Sequence, residues 1–148
     1  VAVNHRLSSI IIGMRGTLTP TNIMVDLSWV PLDYNDFPGA PNGAMVHAGF
    51  LVAALHISDA IRERLLALVN RYPKYSIDFT GHSLGGAVAQ LVALNFGART
   101  STPTSRIRVM TYGSPRIGNS KFADTVSFAR FKGLTRVTYN NDPVPHLP

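Results

Sequence analysis

The 148-residue sequence has no cysteine. That removes a disulfide framework, thiolate chemistry and cysteine-ligated zinc, and it leaves open whether the chain works inside or outside the cell. Charge is sparse, at 15% of residues against 45% hydrophobic, which excludes a disordered chain and implies a globular one. No apolar run reaches the length of a membrane span, and no signal-peptide pattern opens the sequence. Internal repeats and low-complexity tracts are absent as well.

Acidic residues are the scarcer sign, eight against 14 Lys and Arg, for a net charge of +6. A nucleic-acid groove needs its basic residues clustered and interleaved with aromatics. Here they are scattered along the chain, so no nucleic-acid partner is expected and only mild attraction to acidic surfaces remains. The length fits a single domain, residues 1–148, able to bury a sizeable core. The chain opens within Val1-Ala2-Val3 and reaches Pro148 without a closing helix, so it reads as a partial domain, incomplete at both ends.

Strand and helix signals alternate. Val1 to Asn4 and Ser8 to Met14 read as strands across a polar turn at Asn4-His5-Arg6, and Ile10-Ile11-Ile12 suits a central strand. The segment 28–44 reads as an irregular loop rich in Pro and Gly. A long helix lies within Val46 to Arg71, with Ile57, Ile61, Leu65, Leu68 and Tyr72 on one stripe. Ile77 to Thr80 is a short strand, and Leu84 to Phe96, apolar all round, is a buried helix. Further strands are expected at Ile107 to Tyr112 and Leu134 to Tyr139, around a helix capped by Asn119 that carries Phe122, Val126 and Ala129. The pattern predicts an α/β fold: a mostly parallel sheet with helices on both faces.

Between strand and buried helix stands Gly81-His82-Ser83-Leu84-Gly85. In that context a Gly-x-Ser-x-Gly turn strains the serine backbone and lifts its hydroxyl above the sheet. Its glycines remove side chains that would collide there. The helix start adds free N–H groups and a positive dipole end. Ser83 is therefore the candidate nucleophile.

A serine hydroxyl needs a base, and the base needs an orienting acid. On such a fold the order is nucleophile, acid, histidine. After Ser83 the acids are Asp124, inside a helix, and Asp142, just past a strand end where ligands bind in open α/β sheets. Asp142 is the candidate. Only His146 follows it, and an extended Pro-rich path of four residues would separate the two by roughly 12 Å. His82, His47 and His56 have ordinary structural readings, so the sequence presents no convincing base. For the oxyanion, the Leu84 N–H is one expected donor and Thr17, in the loop after Met14, is the other. The helix that follows, with Ile23, Met24 and Leu27 on one face, has the make-up of a cover that opens at a lipid surface.

These segments resemble the class 3 (fungal-type) lipases of the α/β-hydrolase superfamily. IIIGMRGT, TNIMVDL, VHAGF, TGHSLGGA, YGSPRIGN and NNDPVPHLP occur in the family's order and cover most of the chain. The resemblance implies Ser83 as nucleophile, Asp142 as triad acid, and Thr17 and Leu84 as oxyanion residues. It also implies a lid over about Leu18 to Trp29, and structural roles for His47 and His146. The family's catalytic histidine is expected downstream of NNDPVPHLP, and Asp78 stands where relatives usually carry an apolar residue. The implied activity is secreted-type hydrolysis of acylglycerol esters through an acyl-enzyme. It needs no metal or organic cofactor and acts at a lipid–water interface, with peripheral membrane or lipid-droplet contact within reach. Phospholipase or feruloyl esterase activity is the alternative of the same chemistry. A truncated, catalytically deficient lipid-binding domain is the alternative of another class.

Overall fold

Strands β1 (Ala2–Asn4) and β2 (Ser9–Met14) pair antiparallel across the turn at residues 5–8. The computed structural model describes residues 1–16, 30–35 and 37–147. Strands β3 (Pro31–Asp33) and β4 (Met45–His47) form a small antiparallel pair, and helix α1 (Ala48–Arg71) follows directly. Then come β5 (Ser76–His82), α2 (Leu84–Arg99), β6 (Ile107–Tyr112), α3 (Ser120–Phe128) and β7 (Gly133–Val137). The main sheet has the order β1-β2-β5-β6-β7, parallel from β2 onward.

The mostly parallel sheet with helices packed on it is as expected. Among the described residues, however, the connecting helices share one face where both faces were expected. From β2 the chain always steps in the same direction across the sheet. Right-handed crossovers then bring the connecting helices to one face. That face is set by register: Ile10 lies beside Ile77 and Ile107, and Ile12 beside Phe79 and Val109, all of them buried. Helix α2 covers it, and α1 packs on α2. The opposite face leaves Met110, Tyr112 and Val137 exposed among the described residues.

Differences from the sequence reading have local causes. Val46 and His47 belong to β4 rather than to the helix, because β4 pairs with β3, an element hidden in the Pro-rich stretch. The buried stripe of α1 runs through Leu51, Ala54, Ser58, Leu65 and Val69, while Ile57, Ile61 and Leu68 are half-buried at its border. β5 extends to His82, so the strand runs up to the serine turn without a linker. The Asn119 cap holds: its Oδ1 accepts from the N–H groups of Phe122 and Met45.

Asp78 finds its explanation on the open face. Register sets it beside Arg108 on β6, whose Nε donates to Oδ1 at 2.7 Å while Nη2 donates to Oδ2. The Ser9 hydroxyl also donates to Oδ2. Burial pushes this carboxyl up, but the Arg108 and Ser9 hydrogen bonds and the Arg108 charge outweigh it, so its pKa lies below the ordinary value. A folded pKa below the unfolded one means stabilisation that is complete above about pH 4 and is lost as pH falls through the folded value. Asp78→Asn is expected to destabilise by about 1–3 kcal/mol at neutral pH. Thermal melts of both proteins should show the gap closing as pH drops below about 4.

Candidate active site

Ser83 is the single residue between β5 and α2. Its φ of 54° and ψ of −130° lie outside the regions open to ordinary L-residues, at a cost of about 1–3 kcal/mol. Neighbours hold it there: its N–H donates to the Tyr112 carbonyl at 2.9 Å, and its carbonyl accepts from the Gly86 N–H at 2.9 Å. The residue is buried, and its hydroxyl has no hydrogen-bond partner among the described residues. A buried, unsatisfied hydroxyl costs about 1–3 kcal/mol in the resting protein. Strain and an unpaired polar atom thus coincide at one residue.

The turn fits only because its glycines lack side chains. A methyl on Gly81 would overlap the Gly85 carbonyl, and one on Gly85 would stand 2.5 Å from the Met14 carbonyl oxygen and 2.8 Å from the Arg15 carbonyl carbon. Gly16, on the loop leaving β2, presses against the turn as closely, 2.6 Å from the His82 oxygen on the same test. Gly85→Ala therefore has to displace backbone rather than a side chain. It is expected to cost at least about 1–3 kcal/mol, read as a drop in denaturation midpoint.

Leu84 opens α2, and the N–H of a first helical residue has no intrahelical acceptor. Thr17 follows Gly16 in sequence and lies outside the described residues, as do residues 18–29, where the lid was expected.

Asp142 is half-buried beyond β7. Its Oδ1 accepts from the Val144 N–H at 3.0 Å, the turn-capping role available to any such Asp. Its Oδ2 faces inward: a methyl on Gly113 would lie 2.9 Å from Oδ2 and 3.3 Å from His82 Nε2. Gly113 has φ +53°, so the carboxylate reaches the end of β6 at a point that suits glycine doubly. One carboxylate oxygen thus fixes the loop while the other faces the ends of β5 and β6.

Arg136 went unremarked in the sequence, yet it braces this loop. Its Nη2 donates to the carbonyls of Ser114 and Pro145, both at 2.7 Å, joining the segment after β6 to the one after Asp142. The Arg116 N–H adds a bond to the Leu147 carbonyl at 3.1 Å. The signal available was an arginine two positions from Leu134 in a short strand, on the face that packs toward the helices.

None of the chain's five histidines is bonded to the Ser83 hydroxyl. His146 sits in a 3-10 turn (Val144–His146) rather than on the extended path expected for it, and its side chain is exposed. His47 is buried and stacked on Phe50 at 4.2 Å. His56 is exposed on α1 and His5 lies at the β1–β2 turn. Among the described residues no three His, Asp or Glu side chains gather as a metal site would require.

Comparison with known proteins matches residues 11–148 to the family model of the class 3 lipases. The chain belongs to the class 3 lipase family. "Lipase A" of Sodiomyces alcalophilus is 35% identical over 95% of this lipase-family chain and 39% of its own length. The "secreted mono- and diacylglycerol lipase A" of Penicillium cyclopium is 32% identical over the whole chain and 46% of its own. In a solved structure described as showing that a serine protease triad forms the catalytic centre of a triacylglycerol lipase, 97% of this chain superposes on 52% of that one, with 35% identity and a TM-score of 0.86. This class 3 lipase chain therefore spans about half the length of its relatives or less. Its fold is the α/β-hydrolase fold that the sequence predicts.

Proposed function

We propose that this chain carries the nucleophile, the orienting acid and the oxyanion donors of a secreted serine hydrolase that cleaves carboxylic esters of acylglycerols. The observation that carries the reading is Ser83: a buried hydroxyl with no partner among the described residues, held at positive φ between strand and helix. A general base takes the Ser83 proton as Oγ attacks the ester carbonyl, and a tetrahedral oxyanion forms. The Leu84 N–H, at the positive end of α2, stabilises that charge. The Thr17 N–H is the proposed second donor, a role supported by the packing of its neighbour Gly16 against the turn. Collapse of the intermediate expels the alcohol and leaves an acyl-enzyme, which water then hydrolyses by the same steps.

The base is a histidine from outside these 148 residues, accepting orientation from Asp142. This is supported by the absence of any bond from this chain's histidines to Ser83 and by the inward-facing Oδ2 of Asp142. Acylglycerol as substrate rests on the names of its relatives, one of which is also the support for secretion. Residues 18–29 are the proposed lid. Hydrolysis by the longer protein that supplies the histidine should be profiled over triacylglycerols and p-nitrophenyl esters of increasing acyl length. Activity on emulsified long-chain acylglycerols is expected. A strong preference for short aryl esters, or for phospholipid over triacylglycerol, would move the assignment to an esterase or phospholipase.

A further inference from the structure

Asp142 stands in a stretch with little packing to hold it. Of residues 139–147 only Pro145 is buried, while Tyr139 is 80% exposed and Asn140 has φ +34°. A segment with so few apolar contacts moves unless hydrogen bonds fix it. Among the described residues two bonds reach it from elsewhere: Arg136 Nη2 to the Pro145 carbonyl, and the Arg116 N–H to the Leu147 carbonyl. Only the first comes from a side chain. It falls within the 3-10 turn whose Val144 N–H is bonded to Asp142.

The other end of this clamp is the support of Ser83. The same Nη2 donates to the Ser114 carbonyl. Ser114 is buried against Gly86, where a methyl on the glycine would lie 2.9 Å from the serine Cβ. Gly86 in turn donates its N–H to the Ser83 carbonyl, and the Tyr112 carbonyl accepts from the Ser83 N–H. Gly113, between Tyr112 and Ser114, is the residue that Asp142 Oδ2 faces. One guanidinium nitrogen therefore joins the segment that seats Ser83 to the turn that carries Asp142.

A charged donor makes shorter and stronger hydrogen bonds than a neutral one, and the planar guanidinium fixes their directions. With its two hydrogens on two carbonyls, Nη2 sets the spacing between the segments as well as anchoring each. We propose that Arg136 is a positioning residue: through the Ser114 and Pro145 carbonyls it sets the Asp142 carboxylate in place relative to Ser83. This role rests on Asp142 being the triad acid, as proposed above. The chain also holds a second clamp of the same kind. Arg106 Nη2 donates to the Tyr72 and Tyr75 carbonyls, both at 3.0 Å, where β6 begins, at the end of the sheet away from Ser83.

The test is a double-mutant cycle in the longer protein that supplies the histidine, with kcat and KM measured on a soluble ester. Misplacing a catalytic group by about 1 Å costs about a hundredfold, so Arg136→Met should lower kcat by about that factor with KM nearly unchanged. In an Asp142→Asn background the same substitution should cost less than about threefold, because the acid it positions no longer works. Arg136→Lys keeps a charged donor and should hold kcat within about tenfold of the parent. Arg106→Met is the control for loss of a clamp: the melting temperature should fall about as far, with kcat within about twofold of the parent. Parent-level kcat in Arg136→Met would overturn the proposal. So would equal losses in both Asp142 backgrounds, or an equal loss in Arg106→Met, since either marks a general effect on the fold. If Arg136→Met does not fold, the cycle is read with Arg136→Lys, whose smaller loss should likewise vanish beside Asp142→Asn. Undiminished kcat in Asp142→Asn would overturn the acid assignment itself, and the role of Arg136 with it.

Discussion

Ser83→Ala is expected to lower kcat on an ester substrate by about six orders of magnitude, leaving only the 10³–10⁴-fold advantage over water that binding and the oxyanion donors supply. The size follows from the chemistry: without Oγ there is no acyl-enzyme, and water must attack directly. KM should change little, because the hydroxyl makes no bond among the described residues that holds the resting site together. Ser83→Gly separates chemistry from folding. It should be as inactive, yet no less stable than the parent. Relief of about 1–3 kcal/mol of backbone strain outweighs or balances the ~0.4–1 kcal/mol that glycine loses through its more flexible unfolded state. An inactive protein with an equal or higher melting temperature would mark Ser83 as a residue kept at the expense of stability.

Asp142→Asn is the second large effect, about 10⁴ in kcat, the scale seen when a triad acid can no longer hold its histidine in the working tautomer. The amide oxygen can still accept from the Val144 N–H, so the 3-10 turn and the Arg136 brace should survive and the melting temperature should move little. Asp124→Asn is the matched control. Asp124 is exposed on α3, and its substitution should leave kcat within twofold, about 0.4 kcal/mol. Equal losses from both substitutions would indicate a general charge effect and remove Asp142 from the site.

The parts of the fold legible in sequence were those fixed by short-range chemistry. Gly81–Gly85 could be read because the Gly-x-Ser-x-Gly spacing serves a steric need within five residues, and the observed overlaps bear out that need. Asn119 could be read because a cap acts over three residues. What escaped depends on partners distant in the chain. β3 is recognisable only through its pairing with residues 45–47. The partner of Asp78 is Arg108, 30 residues on, chosen by parallel register. Arg136 acts on two carbonyls that the topology alone brings within its reach. The His146 path differs from an extended one because Pro143 has αR dihedrals and starts a turn that Asp142 caps.

The central claim, that Ser83 is the activated nucleophile, is tested most directly by treating the longer protein that supplies the histidine with a fluorophosphonate and locating the adduct by peptide mass. The expected result is one adduct per chain, on the peptide containing Ser83, absent in Ser83→Ala and formed far more slowly in Asp142→Asn. No adduct, or an adduct on any other serine, would contradict it.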